Sequence, residues 1–578
     1  STHNLAPSIA KLKAANIPVP RTYAQIHKME PDQVDEWVNA VASEWSGLLK
    51  ADTFTSVLPP QGSIRYLRGH FIFKVKPNST GLVEKFKARL VVNGFQQIHR
   101  VNFWDTYAPV ARMATLRAAL TIAVHHDLSL KQADFTQAFL HANIDSDNLY
   151  MLPPQGLEEY ITPGHVLKLN KSLYGLKQAP FLWHEKVHST IQSLGFNSNK
   201  ADPCLYSKYD SEGKINFILL YVDDLIIGAP NHSMNTLEKE IIDIFSDTKI
   251  TIQDLTYYLG INIKCHQKLI SMSQTVYIDS ILAKFDKYIT QNASGPNTPL
   301  PTDAIEFSKK QIFEDNPTMN SPDDVIDDTF PYREIVGSLL YLCTCTRPDL
   351  SYSIGFLTRA VCNPRKIHTK ACAHLLNYVK STKFLALLIH GDASTITGFS
   401  DASWLNSPKT RKSDHAYIVY AGNAPIIWRF CRQLIVALST AEAEYDALTA
   451  LGKEALWLRN LLADIFGQPK LPTILYIDNT AAIRISQLPT VHTNSKHFQL
   501  RAHWIRHQVS LGTFTVQHLN TKHLAADAMT KMLTKDQHER HSKFLRGHIP
   551  IMHPTTQQWL DIFEGDFKLR LNEYYSLD

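Results

Sequence analysis

The sequence predicts a multidomain protein of mixed α/β and α+β class, and three observations support this. The chain has 578 residues, enough for about three or four domains of roughly 150 residues each. Helical and strand patterns are mixed through its first half. From Thr395 onward, strands alternate regularly with helices, which is typical of an α/β domain.

The composition is that of a folded protein, with 44% hydrophobic and 20% charged residues, and it excludes wholesale disorder. No apolar run reaches the roughly 18 residues that a membrane helix needs, so we expect no membrane partner. Seven cysteines without a CxxC motif argue against a disulfide scaffold or zinc finger and fit a reducing compartment. The net charge of +5 is too small to identify a polyanionic partner. Because the chain begins at Ser1 rather than Met, we expect a piece of a longer polypeptide.

The elements of the first half follow from apolar spacing and turn residues. Val34, Trp37, Val41, Trp45 and Leu48 fall at helical spacing and predict a first helix. The remaining elements follow from the same periodicity rules. We predict helices at 32–49, 116–124 and 184–194, a short helix from 136, and strands at 69–76, 87–92, 128–134, 217–221 and 225–228.

The second half opens with a change of composition. From Gly295 to Phe330 the chain is rich in Pro, Asp and Asn, which predicts a linker or long excursion. Beyond it, periodicity predicts both element types. We predict helices at 332–342, 351–360, 368–380, 440–466 and 524–533, and strands at 395–400, 416–420, 426–430, 474–477 and 513–518. The sequence does not allow us to assign a structure or a domain to the polar segment after Thr534.

A first group of acids lies at the ends of apolar strands. Asp223 and Asp224 form the tip of an apolar hairpin, and Asp134 ends another apolar strand. Adjacent carboxylates raise each other's pKa, and a bound divalent cation removes that cost. The alternative for the pair alone is a solvated turn, since Asp is a common turn residue. Three such acids suit two Mg²⁺ ions that activate an attacking oxygen and stabilise a leaving oxygen.

A second group of acids lies in the last third of the chain. Asp401 and Asp478 end strands, and Asp527 and Glu444 lie in predicted helices. Each acid alone is more simply explained as a cap or a solvated side chain. Together, four acids from two strand ends and two helices suit a second two-metal site that hydrolyses phosphodiesters.

The start of the long helix offers two candidate acids. Ser439 and Glu442 have the spacing of a capping box, which gives Glu442 a structural role. Glu444 is two residues further, about 200° around the helix, so the two acids cannot share one site. We therefore predict Glu444 as the metal ligand.

Several motifs in order resemble the reverse transcriptases of copia-type LTR retrotransposons (Pseudoviridae). The resemblance runs from about residue 37 to about residue 533 and rests on these segments of the sequence: KARLVVNGF (87–95), TYAPVA (106–111), ADFTQAFL (133–140), SLYGLKQAP (172–180), YVDD (221–224), YLG (258–260), GSLLY (337–341) and TRPD (346–349). Later segments resemble the ribonuclease H of the same elements: RKS (411–413), VALSTAEAEY (436–445), WLR (457–459) and SKH (495–497).

The resemblance implies a right-hand polymerase with fingers, palm and thumb, followed by a connection and a ribonuclease H domain. Asp134, Asp223 and Asp224 would be catalytic acids and metal ligands, and the backbone carbonyl of Phe135 a further ligand. It divides the chain into a lead-in (1–30), fingers and palm (31–245), end of palm and start of thumb (246–294), linker with thumb and connection (295–394), ribonuclease H (395–535) and tail (536–578).

The same resemblance implies a set of nucleotide-binding residues. Lys87 and Arg89 would clamp the incoming triphosphate, although a solvated strand face also explains them. Phe139 would exclude the 2′-hydroxyl of a ribonucleotide and so favour deoxynucleotides. The alternative explanation is that Phe139 is an aromatic residue of the hydrophobic core. Tyr174 and Gly175 would contact nucleotide and template, and Tyr174 departs from the Gln that retroviral relatives often have.

For the last third, the resemblance implies that Asp401, Glu444, Asp478 and Asp527 are the four acids of a ribonuclease H. Many such enzymes carry a His before the last acid, but neither His518 nor His523 has matching spacing, and their roles stay unassigned.

The implied activity is RNA- and DNA-directed DNA synthesis with degradation of RNA in the hybrid. The implied cofactor is Mg²⁺, two ions per site, with Mn²⁺ as an alternative. The implied partners are an RNA template, a DNA primer strand, the RNA–DNA hybrid, dNTPs, a host tRNA primer and a second copy in a homodimer. The implied location is cytoplasmic virus-like particles and later the nucleus. The alternatives are an RNA-dependent RNA polymerase and a degenerate, non-catalytic nucleic-acid-binding scaffold.

Overall fold

The computed structural model describes residues 9, 11–12, 17–62, 64–77, 82–248, 250–290, 295–301, 329–404, 410–487 and 496–549. Four features of the sequence analysis lie wholly or partly outside these residues: the lead-in at 1–30, most of the linker at 295–330, Ser495 of the SKH motif and the tail beyond 549.

Thirteen α-helices are present in the described residues. They are α1 Tyr23–Ile26, α2 Pro31–Lys50, α3 Met113–His126, α4 Ala179–Ser193, α5 Asn231–Ile244, α6 Thr275–Lys284, α7 Tyr332–Cys345, α8 Ser351–Thr358, α9 Lys366–Ser381, α10 Thr440–Phe466, α11 Thr480–Gln487, α12 Lys496–Ser510 and α13 Lys535–Leu545. None of the described helices is long and apolar enough to span a bilayer.

Twenty strands accompany these helices in the described part of the chain. They are β1 Phe54–Val57, β2 Gly69–Pro77, β3 Val83–Val92, β4 Ser129–Phe135, β5 Tyr150–Met151, β6 Val166–Leu169, β7 Asn197–Ser198, β8 Leu205–Tyr209, β9 Ile215–Tyr221, β10 Asp224–Ala229, β11 Ile250–Asp254, β12 Tyr257–Tyr258, β13 Ile261–His266, β14 Leu269–Ser273, β15 Leu387–Ile389, β16 Ile396–Ser403, β17 Asp414–Ala421, β18 Ala424–Arg432, β19 Thr473–Ile477 and β20 Phe514–His518.

The strands form five sheets, and two of them carry the candidate sites. The six-stranded sheet has the order β11-β4-β10-β9-β8-β7, and the five-stranded sheet has the order β18-β17-β16-β19-β20. In the latter, β16, β17 and β18 pair antiparallel, whereas β19 is parallel to both of its neighbours. The smaller sheets are β1-β6-β5, β2-β3 and β12-β13-β14-β15. This architecture confirms the predicted mixed α/β and α+β class.

Helix α3 joins the two large sheets. Its side chains are buried from Ala114 to Val124, as expected for a helix that is apolar all round, and it contacts β9 on one side and β18 on the other. The buried guanidinium of Arg117 donates to the carbonyl oxygens of Ile426 at 2.7 Å and of Thr344 and Cys345 at 3.0 Å each. One buried cation therefore ties α3 to both α7 and β18.

The TRPD motif forms a second buried cross-link. Arg347 and Asp349 are joined by two parallel hydrogen bonds of 2.9 Å and 2.8 Å, and both side chains are fully buried. Arg347 also donates to the carbonyl oxygen of Thr382 at 3.1 Å. The motif thus has a structural role, because it anchors the turn after α7 to the end of α9.

Part of the segment left unassigned by the sequence is folded. Helix α13 packs beside α9, where the Tyr378 hydroxyl lies 2.8 Å from His538 Nε2. Arg546 donates to the carbonyl oxygen of Ala386 at 3.1 Å. These contacts show that residues 535–549 belong to the core of the described fold.

Most predicted elements are confirmed to within a few residues, and two are wrong in type. The helix predicted at 524–533 is a short 3₁₀-helix, Ala525–Met529, because Asp527 N bonds to Leu524 O, three residues back. The helix predicted from 136 is the 3₁₀-helix Ala138–His141. Both are single turns held by tertiary packing, which apolar periodicity does not distinguish from an α-helix.

Candidate active sites

The first site is built on the hairpin between β9 and β10. Tyr221 pairs with Asp224, so Val222 and Asp223 form a two-residue turn. Val222 has a φ of +58°, which a β-branched side chain adopts only under strain. Trp183 of α4 holds this turn, because its Nε1 donates to the Val222 carbonyl oxygen at 2.7 Å.

Strand β4 brings the third acid to this hairpin. Asp134 lies directly opposite Asp224 in the β4–β10 register, and Phe135 N donates to the Asp223 carbonyl oxygen at 3.3 Å. The Phe135 ring is buried against Trp183, with the ring centroids 5.0 Å apart. The structure therefore brings Asp134, Asp223 and Asp224 together at one end of the six-stranded sheet.

Burial and mutual repulsion shape the electrostatics of this group. Burial, together with Asp223 and Asp134, raises the pKa of Asp224 to about 7. The pKa of Asp223 is also raised, first by burial and then by Asp134, while Arg89 and Lys87 oppose the shift. Carboxylates that destabilise one another in this way fit a divalent cation, whose charge removes the repulsion. Asp134, Asp223 and Asp224 would hold it.

The predicted nucleotide-contact residues form one continuous surface beside these acids. The Arg89 guanidinium lies 4.5 Å from the centroid of the Tyr174 ring, and the Phe139 ring meets that ring edge-on, with the centroids 4.8 Å apart. Burial and then the neighbouring Arg89 and Lys76 lower the pKa of Lys87 to about 8. Both Phe139 and Tyr174 are half-buried, so part of each residue is accessible to solvent.

Gly175 has a structural explanation of its own. Its φ is +94°, and a Cβ built there would lie 2.0 Å from the Val92 carbonyl oxygen. Val92 N donates to the Tyr174 carbonyl oxygen at 2.7 Å, so the two backbones are in direct contact. Glycine is required here by close approach and a left-handed backbone.

The sequence analysis missed one acid beside the basic strand. Glu44 of α2 accepts from Leu90 N at 3.2 Å and from Gln137 Nε2 at 3.3 Å. Burial raises its pKa, while Lys87 and Arg89 lower it. The Glu44 carboxylate therefore helps to balance the positive charges of Lys87 and Arg89. No local pattern in the helix distinguishes it from a surface acid.

The second site lies at one end of β16 and β19, which are central strands of the five-stranded sheet. Parallel pairing of Phe399 with Tyr476 aligns β16 and β19, so that Asp401 and Asp478, each two residues further on, lie side by side. Glu444 reaches them from α10. One carboxylate oxygen from each of these three acids lies within 4.8 Å of the others.

Glu444 is the most perturbed of these acids. Burial and then Asp401 and Asp478 raise its pKa to about 9, and burial raises the pKa of Asp401 to about 6. Ala402 N donates to Glu444 Oε1 at 3.2 Å, whereas Oε2 is buried without a hydrogen-bond partner among the described residues. Asp401, Glu444 and Asp478 fit a divalent cation, because its charge would satisfy this orphaned oxygen.

Asp527 stands apart from this group of three. It is buried and forms an ion pair with Lys531, a residue that the sequence analysis did not single out. Burial raises its pKa, Lys531 lowers it, and Asp478 raises it, so the carboxylate is near the others without joining their cluster. Two hydroxyls were also missed: Thr521 donates to Asp478 Oδ2 at 2.7 Å, and Thr530 donates to Asp401.

Glu442 occupies the helix start, away from the three acids. Ser439 Oγ accepts from Glu442 N at 3.2 Å. The Glu442 carboxylate in turn accepts from Leu438 N at 2.7 Å, one residue before the N-cap, where a capping box would use the N-cap N–H itself. His518 and His523 are both exposed, and His523 Nδ1 lies 3.2 Å from Arg540 Nη2.

Comparison with known proteins identifies the class of the first half. Residues 51–301 match the family described as reverse transcriptase (RNA-dependent DNA polymerase). This range contains β4, β9 and β10 with the three acids, and also the Arg89, Phe139 and Tyr174 side chains. The domain that holds the first site is therefore a reverse transcriptase domain.

Relatives extend the similarity over most of the chain. It is 34% identical over 512 residues to the retrovirus-related Pol polyprotein from transposon TNT 1-94 of Nicotiana tabacum, covering 87% of this chain and 37% of that protein. It is 31% identical over 520 residues to the corresponding protein from transposon RE1 of Arabidopsis thaliana, covering 89% and 34%. Over most of its length the chain is therefore similar to Pol polyproteins of copia-type transposons, and it spans about a third of the length of these relatives.

The chain also has similarities among solved structures. A foamy viral protease-reverse transcriptase, solved with double-stranded DNA, matches with a TM-score of 0.44 and 12% identity, covering 83% of this chain and 69% of that chain.

Proposed function

We propose that the chain is an RNA- and DNA-directed DNA polymerase that copies retrotransposon RNA into double-stranded DNA. The observation that carries this proposal is the register of β4 and β10, which sets Asp134 opposite Asp224 beside the strained turn at Asp223, in a domain of the reverse transcriptase family. Asp134 and Asp224 lie on paired strands, and Asp223 lies in the two-residue turn that precedes Asp224, so the sheet register sets their spacing.

The roles of the residues follow from this arrangement. Asp134, Asp223 and Asp224, with the Phe135 carbonyl, would hold two Mg²⁺ ions, with Mn²⁺ as a substitute. The ions would lower the barrier by stabilising the attacking and leaving oxygens. Lys87 and Arg89 would bind the triphosphate of the incoming dNTP.

The exposed faces of Phe139, Tyr174 and Gly175 would contact the sugar and the template. Phe139 is packed on one side against Tyr174, which would fix the ring in place. A fixed ring can reject a 2′-hydroxyl by steric exclusion, whereas a mobile ring would move aside.

We also propose ribonuclease H activity for the five-stranded sheet and α10. The supporting observation is the cluster of Asp401, Glu444 and Asp478, with its orphaned buried oxygen on Glu444. Asp527 would complete the site once a cation competes with Lys531 for its carboxylate. A metal held there would activate water for phosphodiester hydrolysis of the RNA strand.

The remaining parts of the proposal concern partners and organisation. The substrates would be an RNA template, a DNA primer strand and the RNA–DNA hybrid, with a host tRNA as first primer and a homodimer as one assembly. Synthesis would take place in cytoplasmic virus-like particles before the product reaches the nucleus. The functional division would be fingers and palm (31–245), end of palm and thumb start (246–294), linker with thumb and connection (295–394) and ribonuclease H (395–535).

Two alternatives remain open to test. An RNA-dependent RNA polymerase would share the acids of the six-stranded sheet, but the aromatic ring of Phe139 and the second acid cluster weigh against it. A degenerate nucleic-acid-binding scaffold would not need to keep two sets of acids in arrangements that raise their pKa values.

Two matched variants test the proposal. Primer extension on an RNA template with dNTPs and Mg²⁺ is expected for the unaltered chain and should be lost in Asp223→Asn. Asp478→Asn should keep extension and lose cleavage of the RNA strand in a hybrid, because the two acid clusters lie on separate sheets. Circular dichroism of both variants controls for folding. Full extension by Asp223→Asn would refute the polymerase assignment, and full cleavage by Asp478→Asn would refute the nuclease assignment.

A further inference from the structure

A cysteine, a histidine and an aspartate are aligned on the five-stranded sheet, outside both acid clusters. Cys431 of β18 and His415 of β17 are directly opposite in the antiparallel register, so their side chains share one face of the sheet. Cys431 Sγ lies 3.0 Å from His415 Nε2. His415 Nδ1, the other ring nitrogen, lies 3.3 Å from Asp446 Oδ2 on α10. A thiol, an imidazole and a carboxylate thus form a line of neighbouring groups, in which His415 Nδ1 has an ion-pair partner but no hydrogen-bond partner among the described residues.

The surroundings favour a charged imidazolium in this line. Burial lowers the pKa of His415, but Asp446 and Cys431 outweigh burial and raise it to about 9. Asp446 is itself fixed by an ion pair with Arg501 of α12, so the carboxylate cannot swing away from the ring. His415 is therefore held between the sulfur of Cys431 and the carboxylate of Asp446.

A second positively charged group lies near Cys431. Arg429, two residues earlier on β18, interacts with Cys431 and also with Tyr417 and Glu454.

The other six cysteines provide an internal comparison. Four of them, Cys204, Cys343, Cys345 and Cys372, are buried, whereas Cys265 and Cys362 are exposed. Cys431 is only partly exposed. Accessibility alone would therefore make Cys265 and Cys362 the most reactive thiols.

We propose that Cys431 is a reactive modification site that takes low-molecular-weight disulfides and other soft electrophiles. The thiol proton passes to His415 Nε2, and the sulfur attacks one sulfur of the disulfide. The S–S bond breaks, a mixed disulfide forms on Cys431, and the departing thiolate takes up the proton as a free thiol. One thiol is consumed and one is released, so no further oxidant is needed.

The test is residue-resolved labelling of the folded full-length chain. Iodoacetamide at pH 7 is quenched at intervals, and each cysteine is quantified by peptide mass spectrometry. A free thiol is only about 3% thiolate at pH 7, and a base 3.0 Å from the sulfur can take up the thiol proton as the sulfur attacks. We therefore expect Cys431 to react on the order of tenfold faster than Cys362. Oxidised glutathione should add a mixed disulfide to Cys431 first.

Two variants separate activation from accessibility. His415→Gln should slow labelling of Cys431 and leave labelling of Cys362 unchanged. Asp446→Asn should give an intermediate rate. Continued protection of the buried Cys372 reports that each variant is folded. Faster labelling of Cys362 than of Cys431, or no effect of His415→Gln in folded protein, would overturn the proposal. Neither result depends on the polymerase or the nuclease.

Discussion

Replacing Glu444 by Gln is expected to abolish cleavage of RNA in a hybrid while stabilising the metal-free protein. Glu444 supplies one of the three carboxylate oxygens that lie within 4.8 Å of one another, and an amide contributes no negative charge to a cation. We expect the cleavage rate to fall on the order of 10²-fold or more, as for other groups that stabilise charge in a transition state.

The effect on stability follows from the raised pKa of Glu444. Burial with Asp401 and Asp478 raises that pKa to about 9, so the folded, metal-free protein binds a proton at pH 7 that the unfolded chain does not. At about 1.4 kcal/mol per pKa unit, the difference between the ordinary pKa of 4.5 and pH 7 makes this cost at most about 3.5 kcal/mol. Gln is neutral and of similar shape. The free energy of unfolding in EDTA should therefore rise by about 1–3 kcal/mol in Glu444→Gln.

The raised pKa of Glu444 also predicts how the stability of the protein depends on pH. Between about pH 5 and pH 9 the folded state holds more protons on Glu444 than the unfolded state does. The stability of the unaltered protein in EDTA should therefore decline as pH rises through this window, and the advantage of Glu444→Gln should grow with it. Mg²⁺ should reduce the advantage, because the unaltered site binds the ion more tightly and binding stabilises the folded state.

Glu442→Gln is the matched control on the same helix. It weakens the 2.7 Å bond from Leu438 N and removes a negative charge from a helix N-terminus, which costs about 0.5–1 kcal/mol. Cleavage should be retained. The assays are an RNA-cleavage time course at matched folded concentration and urea unfolding in EDTA at pH 6 to 9. An inactive Glu442→Gln together with an active Glu444→Gln would refute the assignment of the metal ligand to Glu444.

Two further predictions concern the sugar-facing ring and the buried TRPD salt bridge. Phe139→Val should raise incorporation of ribonucleotides relative to deoxynucleotides, and an unchanged ratio in single-nucleotide extension would assign the ring to the core alone. Asp349→Asn should lower the free energy of unfolding by about 3–5 kcal/mol, because it leaves Arg347 charged and unpaired in the core. The control is Glu334→Gln in the exposed pair Lys284–Glu334, which should lower the free energy of unfolding by less than about 1 kcal/mol. Arg347 holds the pKa of Asp349 at about 2 despite burial. The unaltered protein should therefore lose this contribution as pH falls from about 4 to 2, which acid unfolding of both variants would measure.

The sequence by itself determined where most strands and helices lie and which acids stand at their ends. Asp134, Asp223 and Asp224 could be selected because a carboxylate at the end of an apolar strand is unusual without a partner. The choice of Glu444 over Glu442 also followed from local geometry, since a cap signal and a helical angle are properties of a few consecutive residues.

Only the tertiary structure decided which side chains meet. Glu44 lies beside the Lys87–Arg89 strand, Lys531 forms an ion pair with Asp527, and Arg117 joins α3 to α7 and β18 through carbonyl oxygens more than 200 residues away in sequence. The line of Cys431, His415 and Asp446 likewise depends on the register of β17 with β18 and on the packing of α10. Such distances are set by the summed packing of elements far apart in sequence, and no local periodicity encodes them.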